Sequence, residues 1–388
     1  MTLKPHIISQ QIYLKKMSYV PEFVVLYEII PYIEYMVLDN ESIRVAVKYY
    51  LEGSLLNDTV IKKYGPIGAV IKKYGPIGDW NTSKVTNMSA LFYNYRNFNE
   101  DISKWDTSSV TNMNAMFFGA TYFNQPIGGW DTSNVTKMEC MFSDAKRFNQ
   151  PIGGWDISYV NSLLSVFNGA DNFNQDLNNW NTSGVNNMNS TFKDSGFNHD
   201  ISNWNTSSVD TFHRMFEGAS TFNQNLNSWN TSSATTMDGM FYRASDFNGD
   251  ISDWDVSKVT NMKNLFLRAF SFNQDIGGWD ISSVNEMDRM FEDATDFNQD
   301  IGPWRVNISN RDNMRQMFLR ASAFDHDISE WCVENIASEP NSFKVGSLLT
   351  DSTDPQWGVY VIRCDVTPPT VLTMLAVSYT HLTLPTKA

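Results

Sequence analysis

The sequence is short of cysteine, of basic residues and of long apolar runs, and each shortage excludes a class of protein. Three cysteines in 388 residues cannot make a disulfide framework, and no C-x-x-C pair indicates a structural zinc site. Lys and Arg number 29 against 43 Asp and Glu, and the net charge of −14 argues against nucleic acid or an anionic membrane as the main partner. No uncharged apolar run reaches about 18 residues, so we predict no membrane-spanning segment.

Aromatic residues, in contrast, are abundant, with 12 Trp, 16 Tyr and 25 Phe, and an internal repeat explains them. Most tryptophans recur every 25 residues, at Trp80, Trp105, Trp130, Trp155, Trp180, Trp204, Trp229, Trp254, Trp279, Trp304 and Trp331. The full unit reads F-N-Q-D-I-x-x-W-D-T-S-x-V-T-N-M-x-x-M-F-x-x-A. Self-similarity of this kind is typical of repeat architectures, in which each unit buries its apolar face against its neighbours.

Each unit divides into two halves with different periods. Alternation over 102–107 places Trp105 and Thr107 on one face and Lys104 and Asp106 on the other, which predicts a short strand. Apolar residues then recur at spacings of three and four over 110–120, which predicts a helix with Ser108 or Ser109 as its N-cap. The sequence therefore predicts an α/β solenoid of about ten to eleven strand–helix units, with a parallel sheet on one face.

The pattern W-D-T-S-x-V-T-N-M-x-x-M-F-x-x-A-x-x-F-N-Q resembles the BspA-like leucine-rich repeat surface proteins. It is most similar to their branch with a 25-residue lipoprotein-associated repeat of unknown function. The resemblance covers about 74–357 and implies a right-handed leucine-rich-repeat-like solenoid. It also implies a cell-surface or extracellular location, although no signal peptide is visible at the start of the sequence.

The segments that flank the repeats are predicted to cap the two ends of the repeat array. Residues 40–73 combine a capping helix at 43–51 with a duplicated linker, V-I-K-K-Y-G-P-I-G, and the repeats occupy 74–331. Residues 332–364 form a closing segment, in which Phe343 and Trp357 are the candidates to cover the last repeat. Cys332 and Cys364 flank this segment and could pair in an oxidising compartment, but the sequence leaves their pairing open. The remaining segments lack the repeat: 1–39, and 365–388, which looks like translated linker sequence.

The polar columns of the repeat are the candidate binding residues. We assign Trp to the core rather than to sugar stacking, because it shares a face with Thr107 and with Ile157, Val256 and Ile281 of other units. The Asn after the opening Phe is expected to be buried and to bond the adjacent repeat. The position after Trp faces outward and forms the predicted polar strand face, which comprises Asp106, Asp131, Asp156, Asn181, Asn205, Asn230, Asp255 and Asp280. Calcium held between the stacked carboxylates is an alternative use of this face.

No catalytic pattern is present, because the histidines occupy unrelated repeat positions and neither H-E-x-x-H nor a nucleophile elbow occurs. We therefore expect no enzyme, no cofactor and no metal site. The predicted function is a non-enzymatic module that binds a protein or a glycan, of the adhesion or recognition type. Three alternatives stay open: an intracellular repeat scaffold, a calcium-dependent surface binder, and a hydrolase hidden in the caps.

Overall fold

The computed structural model describes residues 37–52, 75–306 and 308–359 of the chain. Its regular elements are an α-helix, α1 (Asn40–Glu52), and two 3-10 turns, Ile77–Asp79 and Arg311–Met314. Residue contacts divide the chain into two compact units, the first Met1–Ser208 and the second Val209–Ala388. Each of these units contains several of the 25-residue segments, which are called repeats.

The predicted helix of each repeat is not formed, so the expected α/β class is wrong. Two residues in this segment of each repeat have positive φ, for example Ala115 at 53° and Gly119 at 68°. A right-handed helix cannot continue through a left-handed residue. The apolar spacing of three and four is instead produced by consecutive turns, which also bury Met113, Met116 and Phe117.

Alternating hydrogen bonds explain why turns replace the helix. The amide of Met116 donates to the carbonyl of Met113 within the turn, at 3.1 Å. The amides of Ala115 and Phe117 donate instead to Glu139 and Met141 of the next repeat, at 2.8 and 2.9 Å. Every second amide is therefore committed to the neighbouring repeat, and the i to i−4 ladder of a helix cannot form.

The predicted parallel sheet is also not formed within the described residues. Single parallel bridges take its place, as between Asn87 and Asn112 in the first unit and between Thr236 and Asn261 in the second. The division into two faces was nevertheless predicted correctly, because Ile157, Val256 and Ile281 are all buried. An alternating pattern therefore identified the inward side chains without identifying a strand.

Equivalent aromatic rings stack on one another from repeat to repeat. In the first unit, Phe117 lies with its ring centroid 5.5 Å from that of Phe142 and 3.9 Å from that of Phe123, which opens the next repeat. In the second unit, Phe241 and Phe266 stack at 5.8 Å. Because a buried aromatic side chain removes about 150–250 Å² from water, these columns supply much of the apolar burial.

Buried polar side chains join successive repeats at the core. The indole Nε1 of Trp130 donates to the carbonyl of Ile102 at 3.2 Å, and that of Trp279 donates to Ile251 at the same distance. The hydroxyl of buried Thr107 donates to the carbonyl of Asp131 at 2.9 Å. Each of these bonds pairs a buried donor that would otherwise be costly to desolvate.

The helix α1 supplies the hydrogen bonds that a preceding repeat would otherwise make. The helix begins after Asp39, whose Oδ1 accepts the amide of Ser42 at 2.8 Å as an N-cap. Asn40 Oδ1 then accepts the amides of Thr86 and Asn87 at 2.9 and 3.0 Å. In the next repeat, the amide corresponding to that of Thr86 bonds a backbone carbonyl of the repeat before it.

Arg44 of α1 also replaces a donor that a preceding repeat would provide, because its Nη1 donates to the carbonyl of Ser89 at 2.7 Å. The pattern over 43–51 that predicted a helix lies within α1.

In the second unit, a closing segment lies against the last repeat. The carbonyls of Phe343 and Val345 accept the amides of Phe318 and Arg320, both at 2.8 Å. The ring of Phe343 is buried and stands edge-on to Phe318, and Trp357 stands edge-on to Phe343 in turn. This perpendicular arrangement ends the parallel stack of rings.

Several sequence predictions lie outside the described residues: the segments 1–36 and 365–388, most of the duplicated linker, and Cys364 as the predicted partner of Cys332.

The buried indole of Trp180 provides a test of the core. It stacks on Trp204 at 6.3 Å and donates to the carbonyl of Ile152 at 3.1 Å. We expect Trp180→Ala to lower the free energy of unfolding by about 3–5 kcal/mol, because it leaves a cavity. Chemical denaturation measures this. Tyr159→Ala is the control, since Tyr159 is 69% exposed and its loss should change stability by less than about 0.5 kcal/mol. Equal stability of the two variants would contradict the buried column.

Asn40 provides a test of the N-terminal cap. We expect Asn40→Ala to cost about 1–2 kcal/mol, because the amides of Thr86 and Asn87 both lose their acceptor. Hydrogen exchange should show faster exchange at these two amides. Lys48→Ala, on the exposed side of α1, is the control and should leave both rates unchanged. Unchanged exchange in Asn40→Ala would rule out the capping role.

Candidate binding surface

The eight residues predicted for the polar strand face are all exposed, as expected from their phase relative to Trp. We call them the Asp/Asn row. The first unit contains Asp106, Asp131, Asp156, Asn181 and Asn205. The second unit contains Asn230, Asp255 and Asp280.

The side chain of each member of the row stabilises a turn, and the predicted strand is not formed there. The Oδ1 of Asp131 accepts both the amide and the hydroxyl of Ser133, at 3.0 and 2.6 Å. Asn181 makes the same two contacts to Ser183, at 3.2 and 2.7 Å. These are Asx turns, in which a side chain bonds the backbone two residues on. The recurring Asp-x-Ser and Asn-x-Ser spacing carried this signal, which the strand interpretation missed.

The row is also fixed through its backbone. The hydroxyl of Thr107 donates to the carbonyl of Asp131, and that of Thr132 donates to the carbonyl of Asp156, both at 2.9 Å. In the second unit, Thr231 holds the carbonyl of Asp255 at the same distance. Because backbone and side chain are both bonded, the row presents a preorganised set of polar groups.

The same hydrogen bonds lower the pKa of three carboxylates in the row. The hydroxyl of Ser133, followed by its amide, lowers the pKa of Asp131 below its ordinary value. Asp156 and Asp255 have lowered pKa values for the same reason, from Ser158 and Ser257. In Asp156, partial burial and then the charge of Asp131 oppose this lowering of the pKa.

Two further polar columns differ in part from the prediction. The Asn column bonds the adjacent repeat as expected, since Asn99 Oδ1 accepts the amide of Asn124 at 2.8 Å. Both side chains are exposed, however, so the expectation that they are buried is wrong. A second acidic column lies directly before the predicted strand, includes Asp101, Asp176 and Asp200, and also makes Asx turns, as between Asp101 and Ser103.

The sequence did not identify a cleft between α1 and the first repeat, which we call the α1 cleft. It measures about 440 Å³ and is lined by Arg44, Val47, Lys48 and Glu52 of α1 and by Ala90, Leu91, Tyr93, Asn94 and Tyr95. The available signal was the segment F-Y-N-Y-R at 92–96, which is more aromatic than its equivalents in later repeats. Only the contact between helix and repeat reveals the cleft.

Within 37–52, 75–306 and 308–359, no three His, Cys, Asp or Glu side chains lie together in a way that could hold a metal ion. No helix in those ranges is long and apolar enough to cross a membrane.

The lowered pKa values predict a dependence of stability on pH. Because folding lowers the pKa of Asp131 and Asp156 from 3.8, both carboxylates stabilise the fold above that pH. The contribution is lost as the pH falls through the lower folded values. We expect the melting temperature of the double variant Asp131→Asn/Asp156→Asn to fall less than that of the wild type when the pH is lowered from about 5 to about 3.

A matched variant separates charge from hydrogen bonding. The double variant Asp131→Ala/Asp156→Ala should have a free energy of unfolding that is lower at neutral pH by up to about 1 kcal/mol per turn, because the acceptor of each turn is removed. The Asn variant should retain neutral-pH stability, since Asn181 forms the same turn. An Asn variant with the wild-type pH profile would contradict this assignment.

Comparison with known proteins gives one family and no curated relative. A family model described as "Mycoplasma protein of unknown function, DUF285" matches three times in tandem, over residues 68–179, 151–253 and 245–354. No curated protein matches the chain. The resemblance to the BspA-like proteins is not confirmed.

Among solved structures, the crystal structure of a TLR13–ssRNA13 complex matches at 10% identity, over 71% of this chain and 50% of that one. This chain thus spans half the length of its match, and the TM-score of 0.20 carries no argument about fold or ligand. The tandem family matches cover most of the chain and agree with the 25-residue repeat. The chain is a repeat protein that belongs to the DUF285 family.

Proposed function

We propose that the chain is a non-enzymatic interaction module of the adhesion or recognition type, which binds a protein or a glycan through the Asp/Asn row. The observation that carries the proposal is the uniform geometry of the row. All eight side chains are exposed, and in each the Oδ1 accepts a hydrogen bond from the serine two residues on, so their orientation is set before a partner arrives.

Preorganised polar groups favour binding because little conformational entropy remains to be lost. The row has no large apolar side chain, so affinity would come from many hydrogen bonds and from charge rather than from a hydrophobic hot spot.

The distribution of charge along the row favours a basic segment of a partner protein. In the first unit, Asp106, Asp131 and Asp156 occupy three successive repeats, and Asn181 and Asn205 follow without charge. Three successive carboxylates suit a basic or hydroxyl-rich partner. Binding to a basic partner would weaken as salt screens the charges.

The pKa values support binding rather than catalysis at the row. A carboxylic acid that works as a general acid usually has a raised pKa, which burial provides. The carboxylates of Asp131, Asp156 and Asp255 are exposed and have lowered pKa values.

We propose further that the protein acts at the cell surface or outside the cell, as the BspA-like resemblance implies. An intracellular scaffold with the same repeats is the alternative. Sequencing the 5′ end of the complete transcript would separate them, because a secreted form requires a targeting signal.

The row can be tested with a decalysine peptide and a panel of immobilised glycans. We expect the variant Asp106→Asn/Asp131→Asn/Asp156→Asn to bind the preferred probe at least about tenfold more weakly than the wild type, because three charges are lost while the turns remain. The matched control is Asp101→Asn/Asp176→Asn/Asp200→Asn, which removes three exposed carboxylates from the other acidic column of the same unit.

The proposal fails if the row variant binds like the wild type or if the control loses as much affinity. A chelator should leave binding unchanged. Loss of binding on chelation would instead favour the calcium-dependent alternative.

A further inference from the structure

We propose that the α1 cleft binds an acidic sugar, such as a uronic acid unit of an oligosaccharide. This site is separate from the Asp/Asn row and uses different residues. Its volume of about 440 Å³ falls within the range of about 300–1,000 Å³ that is usual for small-ligand sites.

Tyr93 provides a flat surface on one wall of the cleft. Its side chain is 46% exposed, although it is a large aromatic residue. Its ring stacks on Phe118 of the next repeat, with centroids 4.8 Å apart and planes 11° from parallel. An aromatic ring supported from behind and open in front suits the C–H face of a pyranose, which packs flat against such rings.

Two cations on α1 give the cleft a preference for an anion. Arg44 and Lys48 are four residues apart on the helix and both line the cleft. The guanidinium of Arg44 is held in place by hydrogen bonds to Ser89 and Asn87 and contributes its charge, whereas Lys48 is exposed and provides the ammonium that contacts the ligand. In a chain of net charge −14, two cations beside an open aromatic ring suit the carboxylate of a sugar acid.

Glu52, which lies on α1 four residues after Lys48, and Asn94 of the first repeat offer groups for the sugar hydroxyls. The hydroxyl of Tyr95 donates to Oε1 of Glu52 at 2.6 Å, which fixes the position of this carboxylate. Burial raises the pKa of Tyr95, so its hydroxyl keeps its proton at neutral pH. Oε2 of Glu52 and the side-chain amide of Asn94, which also lines the cleft, then provide an acceptor and a donor.

The test measures binding of trigalacturonate and of neutral maltotriose to the full chain by titration calorimetry. We expect saturable binding of trigalacturonate at one site and at least roughly tenfold weaker binding of maltotriose. Tyr93→Ala should weaken trigalacturonate binding by roughly tenfold or more, and Tyr93→Phe should retain it because the ring remains. Lys48→Gln should abolish the preference for the acidic sugar.

Tyr159→Ala is the matched control, because Tyr159 is the more exposed tyrosine and lies outside the cleft. Its binding should equal that of the wild type, and melting temperatures should show that all variants fold. The proposal is overturned if trigalacturonate does not bind, if maltotriose binds equally well, or if Tyr93→Ala has no effect. The row variant Asp106→Asn/Asp131→Asn/Asp156→Asn should bind trigalacturonate normally, so failure at one site can be distinguished from failure at the other.

Discussion

Within each unit, the stacking of buried aromatic side chains on their equivalents in the next repeat is the constraint on which the structure depends. A spacing of 25 residues brings Phe117 over Phe142, and the same register aligns the amides that donate from one repeat to the next. A repeat cannot bury its apolar residues alone, so local turns and the contacts between repeats stabilise one another. This explains why left-handed residues such as Ala115, which cost energy in isolation, persist: their amides bond the neighbouring repeat.

The same constraint determines what happens at the ends. A terminal repeat leaves donors and acceptors that its neighbour would have paired. At the start of the first unit, Asn40 and Arg44 of α1 provide those partners and leave a cleft beside them. In the second unit, Phe343 turns its ring perpendicular to Phe318 and ends the parallel stacking. The α1 cleft is thus a consequence of capping a repeat with an element of a different shape.

Each side chain of the Asp/Asn row stabilises a turn and is also exposed to solvent. One oxygen is needed for the turn, and either Asp131 or Asn181 can provide it. The charge at each position is therefore free to vary without disturbing the fold. Along the first unit it changes from charged at Asp106, Asp131 and Asp156 to neutral at Asn181 and Asn205.

The sequence by itself determined the repeat, its register and which apolar residues are buried, because the spacing of apolar side chains indicates the face that is buried. It predicted the positions of Trp105 and Asp106 correctly but assigned them to the wrong element. Only the tertiary structure decided that turns replace helix and strand, because the choice depends on amides that bond a residue about 24 positions away. It alone also revealed the α1 cleft, since Lys48 and Tyr93 meet there only when the helix packs on the first repeat.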